Sequence, residues 1–215
     1  MSDKQKPKQR LAHVLWIGGS TCAGKTTMTK LLGTRYGVRT YHVDKALREH
    51  MGQIDPVTYP ALHEWSTMPW TERCVRPWKV QLADSIAAYE EQFRMVVEDL
   101  LSSAPTPVLV EGAALLPHLV APWLKHKRQA IWAVPSQAFL QQHHSKRISV
   151  VLRIRGPTED PDRAFRNWMD FGDEFARWIV ESTEKLGLPL VVVDGGRTLG
   201  ENAQVVARHF GLGSP

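Results

Sequence analysis

Short apolar runs alternate with amphipathic stretches along most of this chain. Residues 11–17, 38–43, 108–111, 129–134 and 188–193 are apolar-rich and of strand length. Between them, apolar residues recur at helical spacing over 25–35, over a short stretch from Asp44, and over a long amphipathic stretch at 78–102. Further helices are expected near 113–121, 136–146, 161–186 and 200–210. Pro105 and Pro107 close the long helix before the third strand, and Gly187 and Pro189 precede the fifth. Five strands alternating with helices predict an α/β domain whose parallel sheet is covered on both faces. Ligands of such sheets gather at the carboxyl ends of the strands.

Two connections break the rhythm. Residues 51–77 carry Pro56, Pro60, Pro69 and Pro77 together with Trp65 and Trp70, and residues 147–160 carry Arg147, Arg153 and Arg155. Long irregular connections in a compact domain tend to be functional. The first is expected on the acceptor side of a site, with Trp65 and Trp70 as candidate pocket walls. The basic start, residues 1–10, reads as a flexible solvated tail, and residues 11–215 as one domain.

Composition narrows the class. An apolar fraction of 43% and a charged fraction of 23% are those of an ordinary globular protein. No run approaches the roughly 18 apolar residues of a membrane span, and no signal-type apolar segment follows the basic start. Two cysteines, Cys22 and Cys74, make no disulfide framework, so a cytoplasmic location is expected. The net charge of +5 raises the question of nucleic acid. Phosphate chemistry needs cations in any case, and neither zinc-finger spacing nor an RNP signature is present. Nucleic acid is therefore not expected as a partner, nor is a membrane, and the sequence gives no oligomeric state.

The decisive motif is Gly19-Ser20-Thr21-Cys22-Ala23-Gly24-Lys25-Thr26, which fits G-x-x-x-x-G-K-[ST] at each fixed position. It lies between the first strand and the first long helix, the context a phosphate-binding loop requires. Glycines let the backbone curl with its N–H groups inward, and the helix N-terminus adds partial positive charge. Residues 19–27, ending at Thr27, are the candidate nucleotide cradle. Lys25 is expected on the β- and γ-phosphates, and the Thr26 hydroxyl on Mg²⁺.

Two acids follow strands. Asp44 comes directly after the second, where a carboxylate can accept or orient the proton of an attacking hydroxyl; it could equally cap the helix beginning there. Glu111 ends the third in an apolar-run-plus-acid pattern, which suits Mg²⁺ or the acceptor, or else caps the next helix. Arg147 is the candidate catalytic cation, since charge builds on the transferring phosphoryl oxygens, with Arg153 and Arg155 as alternatives. Arg73 and Arg76 are candidates for an acidic acceptor. His143 and His144 are adjacent, so they do not share a helix face and make no metal site. The turn at Asp194–Arg197 lies where a nucleotide base commonly sits, though its glycines equally suit an ordinary βα turn.

With GGSTCAGKTT, VDKALREH, VLVEGAALLP and LPLVVVDGGRT in place, residues 11–210 resemble the small P-loop kinases of the nucleotide- and metabolite-kinase group. The shikimate-, gluconate- and chloramphenicol-type kinases are the nearest in pattern. Bacterial kinase-like P-loop proteins with a WxVP…HHSKR…NWM…VDG layout are also similar. The resemblance implies a three-layer P-loop fold with sheet order 2-3-1-4-5, a helical lid region over 135–187, ATP and Mg²⁺ as cofactors, and a small-molecule hydroxyl as acceptor. Asp44 matches the group's acceptor aspartate. The usual second aspartate is replaced by Ala46, and QAFLQQHH separates the fourth strand from the arginine-rich stretch. The competing readings are a partner-driven P-loop ATPase or switch and a polynucleotide 5′-end kinase. The first lacks the N-K-x-D and L-S-G-G-Q signatures, and the second requires a basic channel with stacking aromatics.

Overall fold

The computed structural model describes residues 6–144 and 160–213. In chain order the elements are α1 (Lys6–Arg10), β1 (Val14–Gly19), α2 (Lys25–Tyr36), β2 (Arg39–His42), α3 (Val43–His50), α4 (Pro60–Thr67), α5 (Trp70–Val75) and α6 (Trp78–Ser102). Then come β3 (Val108–Glu111), α7 (Pro117–Val120), β4 (Ala130–Pro135), α8 (Gln137–His144), α9 (Pro161–Leu186), β5 (Leu190–Val193) and α10 (Leu199–Phe210). The five strands form one sheet in the order β2-β3-β1-β4-β5, every neighbouring pair parallel. This is the α/β architecture and strand order expected above.

Period-two alternation along the central strands divides the core in two. Val14 and Trp16 of β1, Val108 and Val110 of β3, and Trp132 and Val134 of β4 face one side. There they pack on α6 and α9 through residues such as Phe93, Val96, Phe175 and Ile179. Ile17, Leu109, Ile131 and Ala133 face the other side, against Met28 and Leu32 of α2 and Ala203 and Val206 of α10. Burial on both faces is what makes these strands read as near-continuous apolar runs.

Several boundaries differ from the sequence reading for physical reasons. The first strand runs through Gly18 and Gly19, which pair with Trp132 and Ala133 of β4. A β-carbon on Gly19 would lie 1.9 Å from the Ala133 carbonyl oxygen, so only glycine permits this approach. Val43, expected to close the second strand, instead opens α3 and is fully buried beneath it. Residues 51–77 are not an irregular connection: α4 and α5 occupy much of the segment. Residues 6–10 of the expected tail form the short helix α1. Among the described residues, no helix is long and apolar enough to cross a membrane.

Candidate active site

The β1–α2 turn is built by its backbone. Gly19 at φ 121°, Cys22 at φ 60° and Gly24 at φ 73° take left-handed conformations, and Cys22 is the one non-glycine with positive φ among the described residues. Ser20 N–H donates to the Ala133 carbonyl at 3.1 Å, which pins the start of the loop to the sheet. The Lys25 ammonium donates to the Ser20 carbonyl at 2.6 Å across the loop. Gly19, Ser20 and Ala23 are buried as the loop's foundation. Thr21, Cys22, Gly24, Lys25, Thr26 and Thr27 line a pocket of about 840 Å³. A concave ring of N–H groups at a helix N-terminus is an anion site.

Asp44 lines the same pocket. It sits in the first turn of α3, one residue past the helix start, and His42 occupies the N-cap position, so Asp44 is not the cap. Burial raises its pKa most, and the neighbouring Glu111 charge adds to this; Lys25, Arg48 and His42 pull the other way. A carboxylate held this way binds a proton more readily than an ordinary aspartate does.

Glu111 lies one strand further in, 3% exposed. Its Oε1 is 2.8 Å from His42 Nδ1. The pair follows from register: β2 and β3 are parallel neighbours, and His42 stands opposite Glu111 at their carboxyl ends. His42 drew no attention in the sequence. The signal that could have found it is the strand order, which makes the last residues of β2 and β3 adjacent.

The pocket continues from Asp44 into a chamber between α4, α5, α6 and α9. Trp65, Trp70, Tyr89, Trp168 and Phe171 line it. Arg73, 8% exposed, also faces this volume. Its guanidinium lies 3.9 Å from the Trp65 ring centre and 5.4 Å from that of Trp70, and it donates to the Trp65 carbonyl. Arg76 is placed differently: it pairs with Asp84 at 2.5 Å and is not among the residues lining the pocket. Trp168 and Phe171 come from the region assigned to the lid; α9 holds this wall in place through Asn167, which donates to the Val75 carbonyl at 3.0 Å.

On the α8 side, Phe139 and His143 also line the pocket, their rings stacked with centres 4.0 Å apart. The β5–α10 turn is fixed by Asp194 Oδ1 accepting from Gly196 N–H at 2.9 Å. Leu199 just beyond it packs close to Gly24, so this turn borders the phosphate loop. Arg147, Arg153 and Arg155 lie outside the described residues, as does Lys146.

The residues present suit a hard divalent cation. Thr26 offers a hydroxyl in the pocket, and Glu111 is a buried carboxylate close enough for its charge to raise the pKa of Asp44. Mg²⁺ characteristically takes one or two protein oxygens and completes its shell with phosphate and water. Among the described residues no group of three or more His, Cys, Asp or Glu forms a self-sufficient metal cage.

No family model matches the chain. No curated protein matches it either. Among solved structures, the chain is similar to a "putative kinase" from Chloroflexus aurantiacus J-10-fl at 16% identity and a TM-score of 0.39, covering 92% of this chain and 98% of that one. It is also similar to a NadR protein in complex with NR at 13% identity and a TM-score of 0.42, covering 96% of this chain and 54% of that one, so it spans about half of the NadR chain.

Proposed function

We infer that the protein is an ATP-dependent phosphotransferase that moves the γ-phosphate of Mg·ATP to a hydroxyl of a small molecule. The observation that carries this reading is a single continuous pocket, with the phosphate loop at one end, Asp44 in the middle and an aromatic chamber beyond. A volume of about 840 Å³ falls in the range of pockets that enclose small ligands.

The loop N–H groups and Lys25 hold the triphosphate and offset its charge. Thr26, with Glu111 behind it, would hold Mg²⁺, which supplies charge neutralisation across the β- and γ-phosphates when bound. The acceptor hydroxyl enters from the chamber and its oxygen attacks the γ-phosphorus in line. The new oxygen–phosphorus bond forms as the β–γ bridging bond breaks, and that electron pair leaves on ADP. Asp44 orients the hydroxyl and takes its proton. Its raised pKa suits it to receive that proton, because a base works best when its proton affinity approaches that of the operating medium.

The test is ADP release from Mg·ATP against a panel of hydroxylated compounds, with Lys25→Ala as blank. Stimulation by one chemical class, accompanied by phosphorylated product, supports the reading. Flat, Lys25-dependent hydrolysis across the panel would instead favour a partner-driven ATPase.

A further inference from the structure

Helix α6 carries an anomaly. Gln81, Ser85 and Gln92 are each only 2% exposed, and with Tyr89 they recur at intervals of four, four and three. They form one stripe along the buried face, where a core helix ordinarily places apolar residues. Buried polar groups need partners. Gln81 turns its amide N–H to the carbonyls of Arg76 and Cys74, at 2.7 and 3.4 Å. Gln92 donates to the Val43 carbonyl at 3.3 Å. These bonds engage the amide N–H groups of both residues, and both residues line the pocket. The Ser85 hydroxyl accepts from the Trp65 indole N–H at 3.3 Å and keeps a proton to donate.

Around this stripe stand the aromatic walls. Trp65 and Tyr89 have ring centres 5.8 Å apart and tilted, and Trp70 packs into one cluster with Trp168. A cage of this kind commonly holds a cation against its ring faces. Here Arg73 already fills that role, 3.9 Å over Trp65. Arg48 and Lys25 also line the pocket, and Asp44 is the sole carboxylate among the described residues that line it.

We propose that the chamber selects an uncharged acceptor alcohol built on a flat aromatic or heteroaromatic ring with N–H or O–H donors on its edge, and rejects cationic and purely aliphatic acceptors. The ring lies among the tryptophans, its edge donors meet Gln81 and Gln92, and its hydroxyl arm reaches Asp44. This rests on the phosphotransferase reading, since the chamber is that reaction's acceptor side.

The experiment is calorimetric binding to the full chain, without nucleotide, of uridine and 4-(hydroxymethyl)benzamide as ring alcohols, with choline and glucose as comparators. Mg·ATP binding is measured in parallel. At least one ring alcohol is expected to bind 10-fold or more tightly than either comparator. Ser85→Ala and Trp70→Leu should each weaken it at least 5-fold while Mg·ATP affinity stays within 2-fold, which shows that the fold is intact. Arg73→Met should bring choline at least 5-fold closer to the ring alcohol. Tighter binding of choline or glucose by the wild type, or silence from both ring alcohols with Mg·ATP binding intact, overturns the inference alone. Loss of Mg·ATP binding in the wild type overturns the phosphotransferase reading beneath it.

Discussion

The phosphate loop and the aromatic chamber share one pocket but are made by different means. The loop is nine consecutive residues, and its binding surface is backbone N–H oriented by left-handed turns at Gly19, Cys22 and Gly24. The chamber is side chains drawn from four helices, brought together only by tertiary packing. A backbone cradle recognises what all nucleoside triphosphates share. On the proposed reading, the side-chain chamber recognises what distinguishes one acceptor from another. Universality of ligand goes with locality in sequence, and specificity with long-range assembly.

Substitutions can drive the two regions apart. Lys25→Ala is expected to give the largest effect, a loss of about 10³-fold in kcat/KM with every acceptor alike, because it removes the cation that would stabilise the charge on the transferring phosphoryl group. Steady-state kinetics with two unlike acceptors checks this; an acceptor-dependent loss would blur the division between the regions. Asp44→Asn is expected to cost about 10²-fold in turnover and leave Mg·ATP affinity unchanged, read by calorimetry beside kcat. Full activity in this variant would remove Asp44 from the mechanism.

The same residue gives a pH signature. Burial raises the Asp44 pKa, so the folded protein holds that proton more tightly than the unfolded chain does. Its contribution to stability is therefore fully present below the unfolded pKa and is lost as pH rises through the folded one. Asp44→Asn should accordingly raise Tm at neutral pH, and the gain should vanish in strong acid. In the wild type the acid limb of kcat/KM should lie above the ordinary aspartate range. Thermal melts across pH and a kcat/KM profile read both.

Glu111→Gln tests the ground between the two regions. It weakens the bond to His42 within the sheet and should cost about 1–2 kcal/mol of stability, measured by urea unfolding. The smallest effect belongs to Arg76→Ala. Its ion pair with Asp84 is about one-third exposed on each side, so the loss should stay below about 1 kcal/mol and acceptor KM should not change. A large rise in KM would bring Arg76 back into acceptor binding.

How much the sequence disclosed follows the same division. The loop was legible because each of its requirements sits within eight residues of fixed spacing. The helices over 78–102 and 161–186 were legible because apolar period and length agree, with Pro105 and Pro107 closing the first and Gly187 following the second. Gly18 and Gly19 looked like the start of a turn, yet they belong to β1, since close approach to β4 demands glycine there. The His42–Glu111 pair was hidden because the second strand was expected to run on to Val43, whereas β2 ends at His42, opposite Glu111. The stripe Gln81, Ser85, Gln92 lies in a stretch read only as amphipathic, and polar residues of such a helix ordinarily face solvent. Its burial is imposed by α4, α5 and α9, which the local pattern does not contain.

The bond from Gln92 to the carbonyl of Val43 ties the acceptor-lining helix to the residue immediately before Asp44. On the proposed reading, this bond couples contact with the acceptor to the aim of Asp44. On that reading, a compound that sits poorly along α6 is expected to tilt Asp44 away from its line of attack. Discrimination among acceptors should therefore register in the rate of the bound complex as strongly as in its affinity, and a tightly bound wrong compound would still turn over slowly.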